Sequence, residues 1–231
     1  MTELARVPVL GTGAPLPRVV RLPGVYRTQE DTAFLASVAL AEPLPAGTRV
    51  LDVCTGTGAL AVAAARAGAE HVLAVDIGRR AVWTTRLNAR RHRVPVTARR
   101  VSALDLVPER GFDLVLANPP YVPCAEPGVP SGCDRAWDAG PLGRDLVDPL
   151  CDAMPALLSD RGVMMMVHSE VTGVDATLDR LRAHGLTAEV AARTTIPFGP
   201  VMRERADFLA AVGLIEPGQS TEDLVVVRAT R

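Results

Sequence analysis

Two segments of this chain carry residues whose types and spacing could do chemistry, and the first is LDVCTGTGALA. Here Gly56 and Gly58 follow an aspartate, Asp52. Glycine permits a sharp turn and lets a ligand approach the main chain, and free N–H groups at the start of the next helix favour an anionic group. Asp76 comes 18 residues after Gly58, where its carboxylate could accept hydrogen bonds from both hydroxyls of a ribose. The segment therefore predicts a site for a cofactor that contains adenosine.

Two cofactors fit this glycine-rich segment. The run from Gly56 to Ala61 matches the G-x-G-x-x-G/A fingerprint of NAD-binding folds. Asp52 favours S-adenosylmethionine (SAM), because an aspartate at the tip of the strand could pair with the cationic amino group of SAM and would repel the anionic pyrophosphate of NAD. A glycine turn that only packs a helix against a strand is the structural alternative.

The second segment, Asn118-Pro119-Pro120-Tyr121, follows the apolar run FDLVLA. Two consecutive prolines fix φ and remove two N–H donors, which leaves the Asn118 side-chain oxygen and the Pro119 carbonyl as a rigid pair of acceptors. Such a pair suits the planar NH2 group of an amide or an aromatic amine, and Tyr121 offers a flat face for stacking. Positioning of this kind can lower a reaction barrier by several kcal/mol or more. The segment predicts methyl transfer to nitrogen, whereas a proline-rich strand exit is the structural alternative.

The elements that must position these segments alternate between strand and helix. Because the strands are nearly all apolar, they predict a parallel sheet with helices on both faces, an α/β, Rossmann-like fold with seven strands, mostly parallel. Ligands of such sheets bind beyond the carboxyl ends of the strands. The predicted strands are 49–53, 70–76, 94–101, 112–117, 162–169, 186–194 and 223–229, and the predicted helices are 30–41, 59–68, 79–92, 144–158, 174–184 and 201–212.

Composition sets limits on the function. The chain has 231 residues and a net charge of −1, and it contains no lysine, which excludes Schiff-base chemistry and a P-loop lysine. Neither a membrane span nor a signal peptide is predicted. The four cysteines form no C-x-x-C pair, so we expect free thiols, no metal site and a cytoplasmic protein. We divide the chain into an N-terminal arm, 1–28, and one catalytic domain, 29–231.

These motifs resemble the HemK/PrmC family of SAM-dependent methyltransferases, and the resemblance extends from about Tyr26 onward. The segment Tyr26…Glu30-Asp31-Thr32 is similar to the Y-x-P-x-E-D-T segment of the short branch of that family, which lacks the N-terminal helical domain. Residues 136–144 are similar to its A-W-x-G-G-x-x-G-R segment. The family methylates a glutamine side chain in the Gly-Gly-Gln loop of peptide release factors. The resemblance therefore implies this reaction and an antiparallel last strand.

The resemblance also implies a set of site residues. Asp76 would bind the ribose, Asn118 and Pro119 would hold the substrate amide, and Ser102 stands where the family has an aspartate for the adenine amino group, with Asp105 as a substitute. The cofactor-binding set is Thr32, Asp52, Cys54, Thr55, Gly56, Gly58, Asp76, Ile77, Ser102, Ala103 and Asn118, and the catalytic set is Asn118, Pro119, Pro120 and Tyr121.

The identity of the methyl acceptor and of the partners stays open at this point. A protein glutamine in a release factor is the favoured substrate, an exocyclic amine of a nucleic acid or a small molecule is the alternative, and a non-catalytic scaffold is the least favoured. The family implies a small activator subunit as a partner. Residues 79–100 contain eight arginines and no acidic residue, which fits either a phosphate-binding patch or a solvated helix face. The proline-rich stretch 119–143 is interpreted as a substrate lid or a surface loop.

Overall fold

Seven strands form one sheet in the computed structural model, which describes residues 16–106, 111–125 and 137–231. The strand order is β3-β2-β1-β4-β5-β7-β6. The pairs among β1 to β5 are parallel, whereas β7 is antiparallel to both of its neighbours. The predicted fold class and the antiparallel last strand are confirmed. The strands are β1 Arg49–Val53, β2 His71–Asp76, β3 Val96–Arg100, β4 Phe112–Ala117, β5 Leu158–Ser169, β6 Thr187–Pro197 and β7 Thr221–Thr230.

The helices cover both faces of this sheet. They are α1 Glu30–Ala39, α2 Ala59–Arg66, α3 Arg79–His92, α4 Val147–Leu157, α5 Val174–Ala183 and α6 Pro200–Ala211. Within the described ranges, no helix is long and apolar enough to cross a membrane, and no three His, Cys, Asp or Glu side chains cluster as a metal site would require.

Strand alternation divides the core into two layers. Val50 of β1 packs in the layer beneath α1 and α2, whereas Leu51 packs in the layer beneath α4 and α5. Both side chains are fully buried, and each such side chain stabilises the fold by about 1.5–3 kcal/mol. The same alternation places Asp52 on the face of Val50, under α2, which matters for the site described below.

Several element ends differ from those predicted. Strand β5 begins at Leu158 rather than at residue 162, because Leu158 pairs with Phe112, ahead of a register shift between Phe112 and Leu114. Strand β6 continues to Pro197 rather than ending at residue 194, because Pro197 pairs with Thr221 of β7. These extensions come from pairing across the sheet, which local sequence patterns do not show.

The described part of the N-terminal arm, residues 16–28, packs along α3. The backbone of Val20 donates to and accepts from the side chain of Asn88, at 2.8 Å in both bonds. The same Asn88 amide donates to the carbonyl of Thr57 at 2.9 Å. One fully buried side chain thus joins the arm to the glycine-rich segment. The division of the chain at residue 28 stays a prediction.

Candidate active site

The loop between β1 and α2 is built from left-handed backbone. Cys54, Gly56 and Gly58 have φ of 57°, 55° and 79°, and only glycine adopts this region at no steric cost. A Cβ on Gly58 would lie 2.7 Å from Cγ2 of Thr85, so this glycine allows the loop to sit directly against α3. Cys54 holds a left-handed conformation without being a glycine, at a cost of roughly 1–2 kcal/mol.

Asp52 lies beneath this loop and fixes its shape. Its Oδ2 accepts from Oγ1 of Thr55 at 2.5 Å and from the backbone N–H of Ala61 at 3.0 Å. Its Oδ1 has no hydrogen-bond partner among the described residues. The side chain is fully buried, and this burial raises the pKa of its carboxyl to about 7. Asp52 does not line the neighbouring cavity, so its contact with a cofactor stays a prediction.

Asp76, at the end of β2, connects two loops. Its Oδ2 accepts from the N–H of Gly56 at 3.1 Å, and its Oδ1 accepts from the N–H of Gly78 at 2.8 Å. Burial raises the pKa of this carboxyl above its ordinary value, while the two N–H donors oppose that rise. The backbone donors fix the carboxylate where it lines a cavity, and it keeps lone pairs for a diol.

That cavity, which we call the central cavity, has a volume of about 670 Å³. The structure brings ten of the predicted site residues to its wall and leaves four behind it. Thr32, Asp52, Thr55 and Gly58 are the four that do not line it. The ten on its wall are Cys54, Gly56, Asp76, Ile77, Ser102, Ala103, Asn118, Pro119, Pro120 and Tyr121.

Ser102 reaches the cavity from the end of β3, and its hydroxyl also begins a short helical turn. Its Oγ accepts from the N–H of Leu104 at 3.2 Å. A hydroxyl retains a proton and a second lone pair after accepting one bond, so Ser102 can still contact a bound group. Asp105 is exposed and lies off the cavity wall, which leaves Ser102 as the polar side chain at this position.

Asn118 follows β4 and is held by residues from the start of α1. Its Nδ2 donates to Oδ2 of Asp31 and to Oγ1 of Thr32, both at 3.1 Å. These two bonds use both N–H groups of the amide, and they leave its Oδ1 as the atom available to a bound molecule. Pro119, whose carbonyl is the second predicted acceptor, is buried and Tyr121 is partly buried. Both continue the wall of the cavity.

Asp31 is a site residue that the sequence patterns did not single out, although it stands in the E-D-T segment. Its carboxylate is only 4% exposed. The hydroxyl of Tyr26 donates to it at 2.8 Å, and the hydroxyl of Tyr121 donates to it at 3.4 Å. Burial, followed by the nearby Asp31 charge, raises the pKa of both tyrosines, so both stay protonated as donors.

A second cavity of about 700 Å³, the outer cavity, adjoins the first. Tyr26, Asp31 and Tyr121 line both cavities, and Trp137 does so as well. The far wall of the outer cavity is the start of α6, where Phe198 and Met202 are buried in a small apolar cluster. The two cavities together give a cofactor-sized space and a separate approach to Asp31, whose carboxylate accepts a hydrogen bond from Asn118. Of the predicted lid, residues 126–136 lie outside the described residues.

His168 lies apart from both cavities, whereas part of the arginine-rich segment lies at the edge of the central cavity. His168 is fully buried, and burial lowers the pKa of its imidazole to about 4, so the ring is neutral. It lines neither cavity. Most of the arginines lie on α3 and β3, and Arg79, Arg80 and Arg100 reach the rim of the central cavity.

Comparison with known proteins identifies the family. A model of the methyltransferase small domain matches residues 17–126. A protein of Methanocaldococcus jannaschii assigned as a protein N5-glutamine methyltransferase is 31% identical over 181 residues, which cover 78% of this chain and 90% of that protein. This chain belongs to the HemK/PrmC family of methyltransferases. A release factor glutamine methyltransferase of Mycolicibacterium smegmatis is 34% identical over 199 residues, covering 81% of this chain and 70% of that protein.

A solved structure shows the same fold in another methyltransferase. Mtq2 of E. cuniculi, determined in a complex with Trm112 and described as responsible for methylation of the termination factor eRF1, superimposes with a TM-score of 0.60 at 20% identity. The match covers 90% of this chain and 99% of that one. The predictions of the family, of the fold and of a SAM-dependent methyltransferase are confirmed. The roles predicted for the individual site residues stay predictions.

Proposed function

We propose that this methyltransferase transfers a methyl group from SAM to the side-chain amide nitrogen of a glutamine in a peptide chain release factor. The observation that carries the proposal is the orientation of Asn118, whose two N–H groups are both used by protein acceptors. Its Oδ1, to which no group of the described residues donates, and the Pro119 carbonyl form a site for a group with two N–H donors. The names of the curated relatives support glutamine as the bearer of that group.

The residues on the wall of the central cavity fit SAM. Asp76 offers a fixed carboxylate for the ribose hydroxyls, and Gly56 brings the main chain to the cavity without a side chain. Ser102 and Ala103 lie where the base would be held, and the partly buried Cys54 completes the wall at the loop. When bound, SAM supplies a methyl group on a positively charged sulfur. The volume of about 670 Å³ is within the range of small-molecule and cofactor sites.

The residues around Asn118 orient the acceptor rather than remove its proton beforehand. Asn118 and Pro119 can each accept one N–H bond from the same NH2 group, which fixes the nitrogen lone pair in direction. Pro119 and Pro120 lack backbone N–H groups, so they bring no donor that could compete with the substrate amide for these two oxygens. Orientation of two reactants can supply about 7–11 kcal/mol of the barrier. The nitrogen can lose its proton after the methyl group has been transferred.

The outer cavity supports a macromolecular acceptor. It leads to Tyr121 and Asp31 from the side of α6, whereas the ribose-binding Asp76 lies on the central cavity alone. A glutamine side chain that projects from a loop could therefore approach past Tyr121 and Asp31, next to Asn118, without displacing the cofactor. A nucleic-acid amine is the second candidate, because Arg79, Arg80 and Arg100 place positive charge at the rim of the central cavity.

A partner subunit and a cytoplasmic location belong to the same proposal. The neighbour from E. cuniculi was determined together with Trm112. In this chain β3 is an edge strand, and Trp83 and Leu87 of the adjacent α3 are 62% and 40% exposed. An exposed strand edge beside apolar side chains suits a small activator protein. We propose the cytoplasm as the location, since translation terminates there.

The test is a labelling experiment with a mapped product. Purified chain is incubated with isotope-labelled SAM and a release factor, and the label is located by peptide mass spectrometry. We expect label on the glutamine of the Gly-Gly-Gln loop and none on a release factor in which that glutamine is replaced by alanine. Label on RNA, or on no macromolecule while SAM still binds, would overturn glutamine as the acceptor. Addition of a Trm112-type protein tests whether a partner raises the rate.

A further inference from the structure

Five donors converge on the buried carboxylate of Asp31. Oδ1 accepts from the backbone N–H of Thr32 at 2.6 Å and from its hydroxyl at 3.1 Å. Oδ2 accepts from the hydroxyls of Tyr26 and Tyr121 and from the amide of Asn118. An ionised carboxylate has about four lone-pair sites and no proton to give. Every group around Asp31 is therefore fixed as a donor toward it.

The hydroxyl of Thr32 links the Asp31 carboxylate to the Asn118 amide. Because Thr32 gives its proton to Asp31, its Oγ1 can only accept from Asn118. The Asp31 carboxylate thus determines both hydrogen bonds that the Asn118 NH2 group donates. It accepts one of them itself, and it orients the Thr32 hydroxyl that accepts the other. If the amide turned by half a rotation, its oxygen would face two oxygens without a proton between them. Buried polar groups that lose their partners in this way cost about 1–3 kcal/mol each.

We propose that Asp31 is a positioning residue. It fixes the Asn118 amide so that the amide oxygen, rather than the NH2 group, faces the substrate nitrogen that receives the methyl group. The inference rests on the proposed function, because it explains how the pair formed by Asn118 and Pro119 is kept free to accept. With the amide reversed, an NH2 group would meet the NH2 group of the substrate, and two donors cannot bond to each other. Asp31 thereby selects a substrate whose methyl-accepting nitrogen carries two N–H groups.

A pair of exchanged residues tests this proposal. Asp31→Asn removes the carboxylate that orients the amide, and we expect kcat to fall by about 10²-fold while the affinity for SAM changes little. Asn118→Asp places two carboxylates together, which repel each other unless they share a proton, so its activity should fall as the pH rises. The double variant again pairs an amide donor with a carboxylate, and its kcat should exceed that of either single variant by at least about tenfold.

A matched control separates positioning from a general loss of stability. Asp113, on the same strand that leads to Asn118, also accepts two hydrogen bonds, from the backbone of Arg49 at 3.0 Å and from Ser159 at 2.9 Å. It lines neither cavity. Asp113→Asn should keep the kcat of the parent. If Asp31→Asn also kept it, or if the double variant were no more active than the single ones, the positioning role would be refuted.

A measurement without substrate distinguishes failure of this inference from failure of the proposed function. The side-chain N–H groups of Asn118 give a pair of nuclear magnetic resonance signals, assigned by their loss in Asn118→Asp. Because both N–H groups are bonded to protein, their exchange with solvent should be at least about tenfold slower in the parent than in Asp31→Asn. Equal exchange overturns the inference. Slow exchange in a protein that methylates no glutamine would overturn the proposed substrate and leave the role of Asp31 standing.

Discussion

Replacement of Asp52 by asparagine should stabilise the protein at pH 8 and not at pH 4. The carboxyl of Asp52 is fully buried, and burial raises its pKa from 3.8 to about 7. Below pH 4 it is largely protonated in both the folded and the unfolded chain. Between pH 4 and 7 the unfolded chain loses the proton while the folded chain keeps it, so the free energy of unfolding falls as the pH rises.

The structure gives the size of this effect. A difference of about three pKa units corresponds to about 4 kcal/mol, which the folded protein loses in full above pH 7. The asparagine oxygen can still accept from Thr55 and Ala61 as Oδ2 does now, but the new NH2 group would be buried without a partner at a cost of about 1–3 kcal/mol. We therefore expect Asp52→Asn to gain about 1–3 kcal/mol at pH 8 and to lose about that much at pH 4.

Urea unfolding at pH 4, 5, 6, 7 and 8 measures the difference between variant and parent, in which the other titrating groups cancel. The exposed Asp160, changed to asparagine, is the control and should show no such trend. A difference that stays constant across the pH range would refute the assignment of a buried, destabilising charge to Asp52. SAM titration of the same variant tests the predicted contact with the cofactor: weaker binding supports a charge pair, and unchanged binding leaves Asp52 as the residue that holds the loop.

Three further substitutions test the loop and the two ends of the site. Gly58→Ala should lower the free energy of unfolding, measured in denaturant, by about 2–4 kcal/mol, because the new Cβ would overlap Thr85. Gly218 is the control, since it has a similar φ and lies in open space, and Gly218→Ala should cost only about 1 kcal/mol. Asn118→Ala should lower turnover by about 10²–10³-fold with little change in SAM affinity measured by calorimetry; turnover equal to that of the parent would contradict the amide-holding role. Asp76→Ala should weaken SAM binding by about 1.5–3 kcal/mol in the same calorimeter, and unchanged affinity would remove it from the ribose site.

The sheet could be predicted because each strand has a local signal. The run FDLVLA is apolar except for Asp113, and the structure pairs it with β1 and β5 as a central strand. The first residues of β5 had no such signal, since Ser159, Asp160 and Arg161 are polar and join the strand only through the pairing of Leu158 with Phe112. Pairing partners that are distant in sequence decide such boundaries.

The site could be predicted only in part for a related reason. The rule that ligands bind at the carboxyl ends of parallel strands brought Asp76 and Asn118 together correctly on one cavity. It could not show that Asn118 is held by Asp31, 87 residues earlier in the chain. The placement of Asp52 behind the loop follows from strand alternation with Val50, a pattern that was present in the sequence.

The position of β7 between β5 and β6 constrains how the chain can fold. Strand β5, with Met164, Met165 and Met166, pairs with β4 on one side, and its other edge stays uncovered until Thr221–Thr230 has been synthesised. An uncovered apolar edge is a template for pairing with other chains. Fragments that stop before Thr221 should therefore aggregate on the ribosome or soon after release. A synthetic peptide of residues 221–231 should suppress that aggregation by occupying the same edge, which would make this fold a candidate for split-protein reconstitution.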